Sequence, residues 1–220
     1  DLHLGHTCRR RLAYDEILSN QLALILTRSH SEVAQGRALI GEAHLQEKVL
    51  EKLPFKLTQD QLNALEEIQK DMVSSSRMIR LLQGDVGSGK TIVAFLCMLK
   101  AVEAGYQVAL LAPTEILARQ HYKTMEEWAR TAGVSLELLI SKDTAKHRQK
   151  IYRSLAEGET NVVVGTHALI QPEVQFKNLG FIVIDEQHRF GVEQRLYLSE
   201  KGENIDILSM TATPIPRTLM

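Results

Sequence analysis

The chain has 220 residues, 44% of them hydrophobic and 24% charged, proportions that fit a soluble globular protein and exclude disorder as its main state. Lys plus Arg number 26 against 27 for Asp plus Glu, a net charge of −1, so any nucleic-acid contact must come from a local basic surface, and a histone-like polycation is excluded. Cys8 and Cys97 form no C-x-x-C pair and no apolar run approaches the roughly 20 residues of a membrane span, which argues against a disulfide framework, a cysteine zinc site and membrane insertion, and favours a reducing cytoplasm.

In chain order, Leu12, Ile17, Leu22 and Ile25 recur near helical spacing and predict a helix from Arg9 to Arg28, broken by Ser29 to Gly36. A second helix is predicted over about Glu42 to Leu53, ending where Pro54 restricts the residue before it. Residues 1–54 are therefore expected to form a helical linker or arm, and residues 55–220 a domain of their own. After Pro54, apolar strand candidates fall at Met78 to Leu82, Gln107 to Ala112, Val134 to Ile140, Asn161 to Val164, Phe181 to Ile184 and Asp206 to Met210. Amphipathic stretches such as Ile116 to Ala132 and Thr144 to Leu155 separate them. That alternation predicts an α/β fold with a central, mainly parallel sheet and helices on both faces.

Between the first strand candidate and a helix expected over Ile92 to Ala104 lies Gly84-Asp85-Val86-Gly87-Ser88-Gly89-Lys90-Thr91, which matches G-x-x-x-x-G-K-[ST]. Glycines in such a loop let backbone N–H groups curl around phosphate oxygens at a helix N-terminus, whose dipole favours negative charge. Lys90 is then expected to reach the β- and γ-phosphates of ATP, and the Thr91 hydroxyl to hold Mg²⁺. The metal also needs a carboxylate at the end of another strand, and Phe181-Ile182-Val183-Ile184-Asp185-Glu186 supplies it. Asp185 is expected to hold Mg²⁺, and Glu186 to orient or deprotonate the attacking water, which argues for hydrolysis rather than storage of nucleotide.

Asp185-Glu186-Gln187-His188 resembles the DExH motif of superfamily-two helicases, and further matches follow in the expected order. Ala112-Pro113-Thr114-Glu115-Ile116-Leu117-Ala118-Arg119-Gln120 resembles their motif Ia, Gly165-Thr166-His167 their motif Ib, and Met210-Thr211-Ala212-Thr213-Pro214 their motif III. Arg189 to Arg195 and Ile215 to Leu219 narrow the resemblance to the branch that includes the transcription-repair coupling factor and the RecG family. Ser88 after Gly87, Gln187, and Arg9 to Glu16 are similar to the RecG family within that branch. The resemblance implies a RecA-like P-loop NTPase lobe, the first of two lobes of a bacterial, ATP-driven translocase on double-stranded DNA that remodels stalled forks and junctions. It also implies partners outside this chain: a wedge domain before it, and a second lobe carrying an arginine that completes the ATP site. With Asp1 at one end and Met220 directly after a motif at the other, the sequence is expected to be a piece of a longer protein, nearly inactive alone.

The same resemblance makes Pro113, Thr114, Arg119, Thr166 and His167 candidates for binding the DNA backbone, although Arg119 is equally readable as a solvated surface charge. His188, Thr211 and Thr213 are its candidates for linking the nucleotide site to motif III and DNA; a packed core histidine and an ordinary strand end are the bland alternatives. Phe55-Lys56-Leu57-Thr58-Gln59-Asp60-Gln61 resembles the adenine-reading Q motif, which makes Phe55 and Gln61 nucleotide candidates. Thr58 and Gln61 also satisfy an S/T-x-x-E/Q capping box, in which Gln61 only closes a helix N-terminus. The rival functions are a coupling-factor-like translocase lobe and a P-loop NTPase that ignores DNA. Arg9 to Arg11 and the stretch carrying Lys146, Lys150 and Arg153 are basic patches that solvation explains as well as DNA does.

Overall fold

The computed structural model describes residues 36–186, 201 and 204–212. The helix predicted from Arg9 to Arg28 lies outside them. From Gly36 onward the described residues belong to one compact unit.

Six strands form one sheet: β1 (Ile79–Gln83), β2 (Gln107–Leu111), β3 (Leu136–Leu139), β4 (Val162–Gly165), β5 (Leu179–Asp185) and β6 (Asp206–Thr211). Their order across the sheet is β1-β6-β5-β2-β4-β3, and every pairing is parallel. Helices α1 (His44–Lys52), α2 (Gln59–Met72), α3 (Lys90–Glu103), α4 (Glu115–Ala132) and α5 (Ala145–Glu157) surround it. Because all strands run the same way, the residues that follow each strand come out at one edge, the place where parallel α/β sheets bind ligands.

Strand periodicity sorts the core into two layers. Val108, Leu110, Phe181, Val183, Leu208 and Met210 join α1 to α4 on one face, while Ala109, Leu111, Ile182, Ile184 and Val163 meet Ile151 and Leu155 of α5 on the other. Helix α3 is buried nearly all round, from Ile92 to Leu99, and Phe95 packs on Trp128 of α4 with ring centroids 5.5 Å apart. Burying side chains of this size is worth roughly 1.5–3 kcal/mol each, which makes α3 against the sheet the main stabilising layer.

Residues 36–54 belong to this same unit. Glu103 accepts hydrogen bonds from the backbone N–H groups of Ala43 (2.8 Å) and Leu45 (2.5 Å), satisfying the start of α1. The Gln46 amide donates to Leu96 O at 2.7 Å, and Leu39 and Val49 are buried in the core. The second helix of the expected arm is thus packed on the α/β unit rather than standing apart from it.

Helix α2 has no counterpart among the stretches read from periodicity; only the capping box at Thr58 announced it. Strand β3 is shorter than the predicted Val134 to Ile140, for a local reason at each end. Gly133 takes a left-handed φ of 73° to close α4, and Val134 N–H turns back to Ala129 O (2.9 Å), so Val134 belongs to the helix cap. At the other end, Ile140 N–H is taken by the Asp143 carboxylate at 3.0 Å. Strand β5 runs longer than predicted, with Asp185 as its last residue.

Candidate active site

The loop after β1 has the backbone that a phosphate cradle requires. Gly87 and Gly89 take φ of 81° and 82°, in the region that favours glycine, and Gly89 is the N-cap of α3. Lys90 and Thr91 are the first two residues of that helix, so both side chains issue beside unpaired N–H groups. The Lys90 ammonium lies back over its own loop, donating to Gly84 O at 2.7 Å and Asp85 O at 2.8 Å. A cleft of about 450 Å³ borders it, lined by Gln61, Gly84, Asp85, Ser88, Lys90 and Val93 among others. Val86 projects from the tip, 89% exposed. Phe55 is half exposed and lies outside the residues lining the cleft.

Gln61 joins two elements. Its Oε1 accepts from Thr58 N–H at 2.9 Å while Thr58 Oγ1 accepts from Gln61 N–H at 3.3 Å, so the capping box is formed. Its side-chain N–H₂ donates to Ser88 O at 2.8 Å, tying α2 to the loop, and a Cβ at position 89 would collide with that nitrogen. A primary amide has two N–H donors and two oxygen lone pairs, and these bonds use one of each.

At the end of β5 the two carboxylates are held differently. Asp185 follows Phe181 and Val183 on the α3–α4 face, where its Oδ2 lies 2.8 Å from Nε2 of His121 in α4. Their side chains are only 13% and 11% exposed. Glu186 has a left-handed φ of 52°, unusual for a residue with a side chain and typical of functional turns. Its N–H donates to Met210 O at 2.9 Å, and its carboxylate lies 3.4 Å from both Thr211 Oγ1 and Ala212 N. Thr211, at the end of β6, is buried. His188 and Thr213 lie outside the described residues.

The remaining candidates stand along the same sheet edge. Pro113 and Thr114 follow β2, and Thr114 is the N-cap of α4, its hydroxyl accepting from Leu117 N–H at 3.3 Å. Arg119 is exposed on α4. Thr166 and His167 follow β4; His167 is exposed, whereas Thr166 is buried at 6%, leaving little of its side chain for a ligand. Sequence reasoning stopped the motif Ia match at Gln120 and passed over His121. The available signal was its place three residues after Ala118 and four before Met125, on the buried stripe of α4, where an ionisable residue calls for a partner.

Among the described residues no group of three or more acidic, His or Cys side chains is preassembled to hold a metal, and no helix is long and apolar enough to cross a membrane. The residues present nonetheless fit a metal-bound nucleotide: a loop opening on a helix N-terminus, with the Asp185 carboxylate at the same edge of the sheet.

Comparison with known proteins agrees with this geometry. Helicases named ATP-dependent DNA helicase RecG are 50% identical in Aquifex aeolicus and in Thermotoga maritima, each over 96% of this chain and 27% of the relative, and 45% identical in Escherichia coli, over 100% and 32%. The chain thus spans about a third or less of the length of these relatives. A solved structure of RecG bound to a three-way DNA junction superposes with a TM-score of 0.84 at 48% identity, covering 96% of this chain and 28% of that one. The helicase MrfA bound to DNA and AMPPNP, at 20% identity and a TM-score of 0.60, covers 83% of this chain and 28% of that one and shares the fold. A family model for DEAD/DEAH box helicases matches residues 58–220. The chain belongs to the DEAD/DEAH box helicase family.

Proposed function

We propose that this chain is the ATP-binding and ATP-hydrolysing lobe of a motor that translocates on double-stranded DNA and remodels branched DNA, such as stalled forks and junctions. The observation that carries the reading is the common sheet edge: the phosphate loop, the Asp185–Glu186 strand end and the turns at Pro113-Thr114 and Thr166-His167 all leave the same side of one parallel sheet. Identity of 45–50% to proteins named RecG, one of them solved on a three-way junction, supports the DNA substrate. Residues 1–54 are the end of the region joining a wedge domain to the motor, its residues 36–54 packed on the lobe, and residues 55–220 are the first RecA-like lobe. A second lobe in the parent protein supplies the arginine that completes the site, a group worth about 10³ to 10⁵ in rate. The protein works in the bacterial cytoplasm.

In this reading the N–H groups of Gly84 to Gly89 and the α3 N-terminus cradle the phosphates. Lys90 exchanges the Gly84 and Asp85 carbonyls for β- and γ-phosphate oxygens. Thr91 and Asp185 would hold Mg²⁺, which when bound would supply charge neutralisation at the phosphates. Glu186 orients the attacking water from a backbone turn fixed by Met210 O, and Thr211 and Ala212, on its carboxylate, connect that turn to motif III. His188 and Thr213 extend the connection. The N–H and lone pair that Gln61 has left over match what adenine offers at N7 and N6, and Phe55, outside the lining of the cleft, is the second candidate for the base. Pro113, Thr114, Arg119 and His167 bind the DNA backbone without reading sequence, with buried Thr166 contributing at most through the turn that it forms.

ATPase activity of the full-length protein, measured with and without branched DNA, tests the proposal. Strong stimulation by junctions or duplex is expected; turnover indifferent to DNA, or phosphoryl transfer to another acceptor, refutes it.

A further inference from the structure

The contact between His121 and Asp185 joins the acidic strand end to a residue outside the motif matches, with 2.8 Å between His121 Nε2 and Asp185 Oδ2. The partners are 64 residues apart in sequence and meet because β5 lies next to β2, which leads into α4. An ionised carboxylate can only accept, so the 2.8 Å contact requires a proton on His121 Nε2, donated to Asp185 Oδ2. With both side chains nearly nine-tenths buried, water competes poorly for either atom, and the bond fixes the rotation of the carboxylate.

We infer that His121 is a positioning residue for Asp185, holding one carboxylate oxygen so that the other is presented to the metal of a bound nucleotide. The inference rests on the nucleotide reading above and deepens it. Partners that orient a metal-binding group from behind typically matter by 10- to 100-fold in metal affinity, although they never touch the ion. His121→Leu keeps bulk on the buried stripe of α4 and removes the donor. His121→Gln restores a donor, since its side-chain nitrogen reaches close to the position of Nε2.

The test is a Mg²⁺ titration of fluorescent ATP binding by the full-length protein and both variants, beside nucleotide binding in excess chelator and a thermal melt of each. The Mg²⁺ midpoint is expected to rise roughly 10- to 100-fold in His121→Leu, to return within a few-fold of the parent in His121→Gln, and metal-free binding to be equal in all three. An unchanged midpoint in His121→Leu overturns the inference. So does an equal loss of affinity with and without metal, which marks a merely structural contact. If His121→Leu does not fold, His121→Gln decides: a midpoint more than about tenfold above the parent's overturns the inference, since a positioned donor should suffice. A parent protein that binds nucleotide with no dependence on Mg²⁺ refutes the metal site itself, and is distinguished by that result from failure of His121 alone.

Discussion

The two strand ends that make up the candidate site are built on opposite plans. β1 is an edge strand whose residues alternate between exposed and half-buried, and the loop after it holds itself: Lys90 bonds carbonyls five and six residues back, and the glycines turn the chain locally. β5 lies within the sheet and is buried from Leu179 to Ile184, and its carboxylates are held by side chains and backbone brought from α4 and β6. A phosphate loop can therefore be written in eight consecutive residues, whereas an acidic strand end works only when the sheet around it is assembled. The variants below separate these two kinds of dependence, starting with the largest effect.

Lys90→Ala should abolish function and leave the fold alone. The side chain is partly exposed and its bonds are to its own loop, so the thermal midpoint should move by about 2 °C or less, while ATP hydrolysis by the full-length protein falls roughly 100-fold or more, as when other preorganised donors to a charged transition state are removed. Differential scanning fluorimetry beside a steady-state ATPase assay reads both; a variant that melts far earlier, or that hydrolyses ATP normally, breaks the contrast.

Phe95→Ala should do the reverse. Phe95 is fully buried between the sheet and Trp128, so its removal leaves a cavity worth roughly 3–5 kcal/mol, a fall in the melting midpoint of about 10 °C. Nucleotide affinity of the fraction that remains folded should stay close to the parent's. A loss of affinity at temperatures well below the melt would mean that the phosphate loop leans on the core more than its internal bonds suggest.

Legibility in the sequence follows the same division. The strand–loop–helix around Lys90, the six strands and their parallel arrangement all rest on local periodicity and turn chemistry, and their order along the chain was readable. Contacts set by strand order were not: His121 and Asp185 come together only because β2 and β5 are neighbours, and no spacing rule spans 64 residues. Strand ends were misread where a cap took the backbone, as at Val134 and Ile140. Helix α2 was missed because its apolar residues, Leu65, Ile68 and Met72, form a narrow stripe in an otherwise polar run. Residues 36–54 were assigned to an arm on the strength of Pro54, while what attaches them is the pairing of Glu103 and Leu96 with residues 50 or more positions earlier.

Asp206, at the start of β6, carries a pH-dependent burden away from either strand end. Burial pushes its carboxyl up to about 7, against the stabilising effects of Met78 N–H at 2.7 Å and nearby Arg77. A carboxyl whose folded value exceeds its unfolded value of 3.8 holds its proton more tightly in the native state, so the native state loses stability as pH rises from about 4 to 7 and recovers none above. Asp206→Asn retains an acceptor for Met78 N–H and removes the buried charge. Its stability gain should grow from near zero at pH 4 to about 3 kcal/mol at pH 8, as read by chemical denaturation across pH. A difference that does not vary with pH would return the group to an ordinary ion pair with Arg77.

The smallest effect distinguishes the two roles of Gln61, which sits where the self-held loop meets the rest of the fold. Gln61→Glu keeps the capping box, because a carboxylate oxygen still accepts from Thr58 N–H, and negative charge near the start of α2 is favourable. What it loses is the donor: Ser88 O now faces an acceptor at 2.8 Å, so the strut from α2 to the loop opens and affinity for ATP and GTP should fall together. If the amide also reads adenine through its remaining N–H and lone pair, a second loss is added for ATP alone, on the order of 1–3 kcal/mol, because guanine lacks the N6 amino group that the Gln61 oxygen accepts from. Competition of ATP and GTP for the parent and the variant separates the two. A common fall with selectivity preserved leaves Gln61 as a strut and cap, and a fall larger for ATP than for GTP makes it the residue that chooses the base.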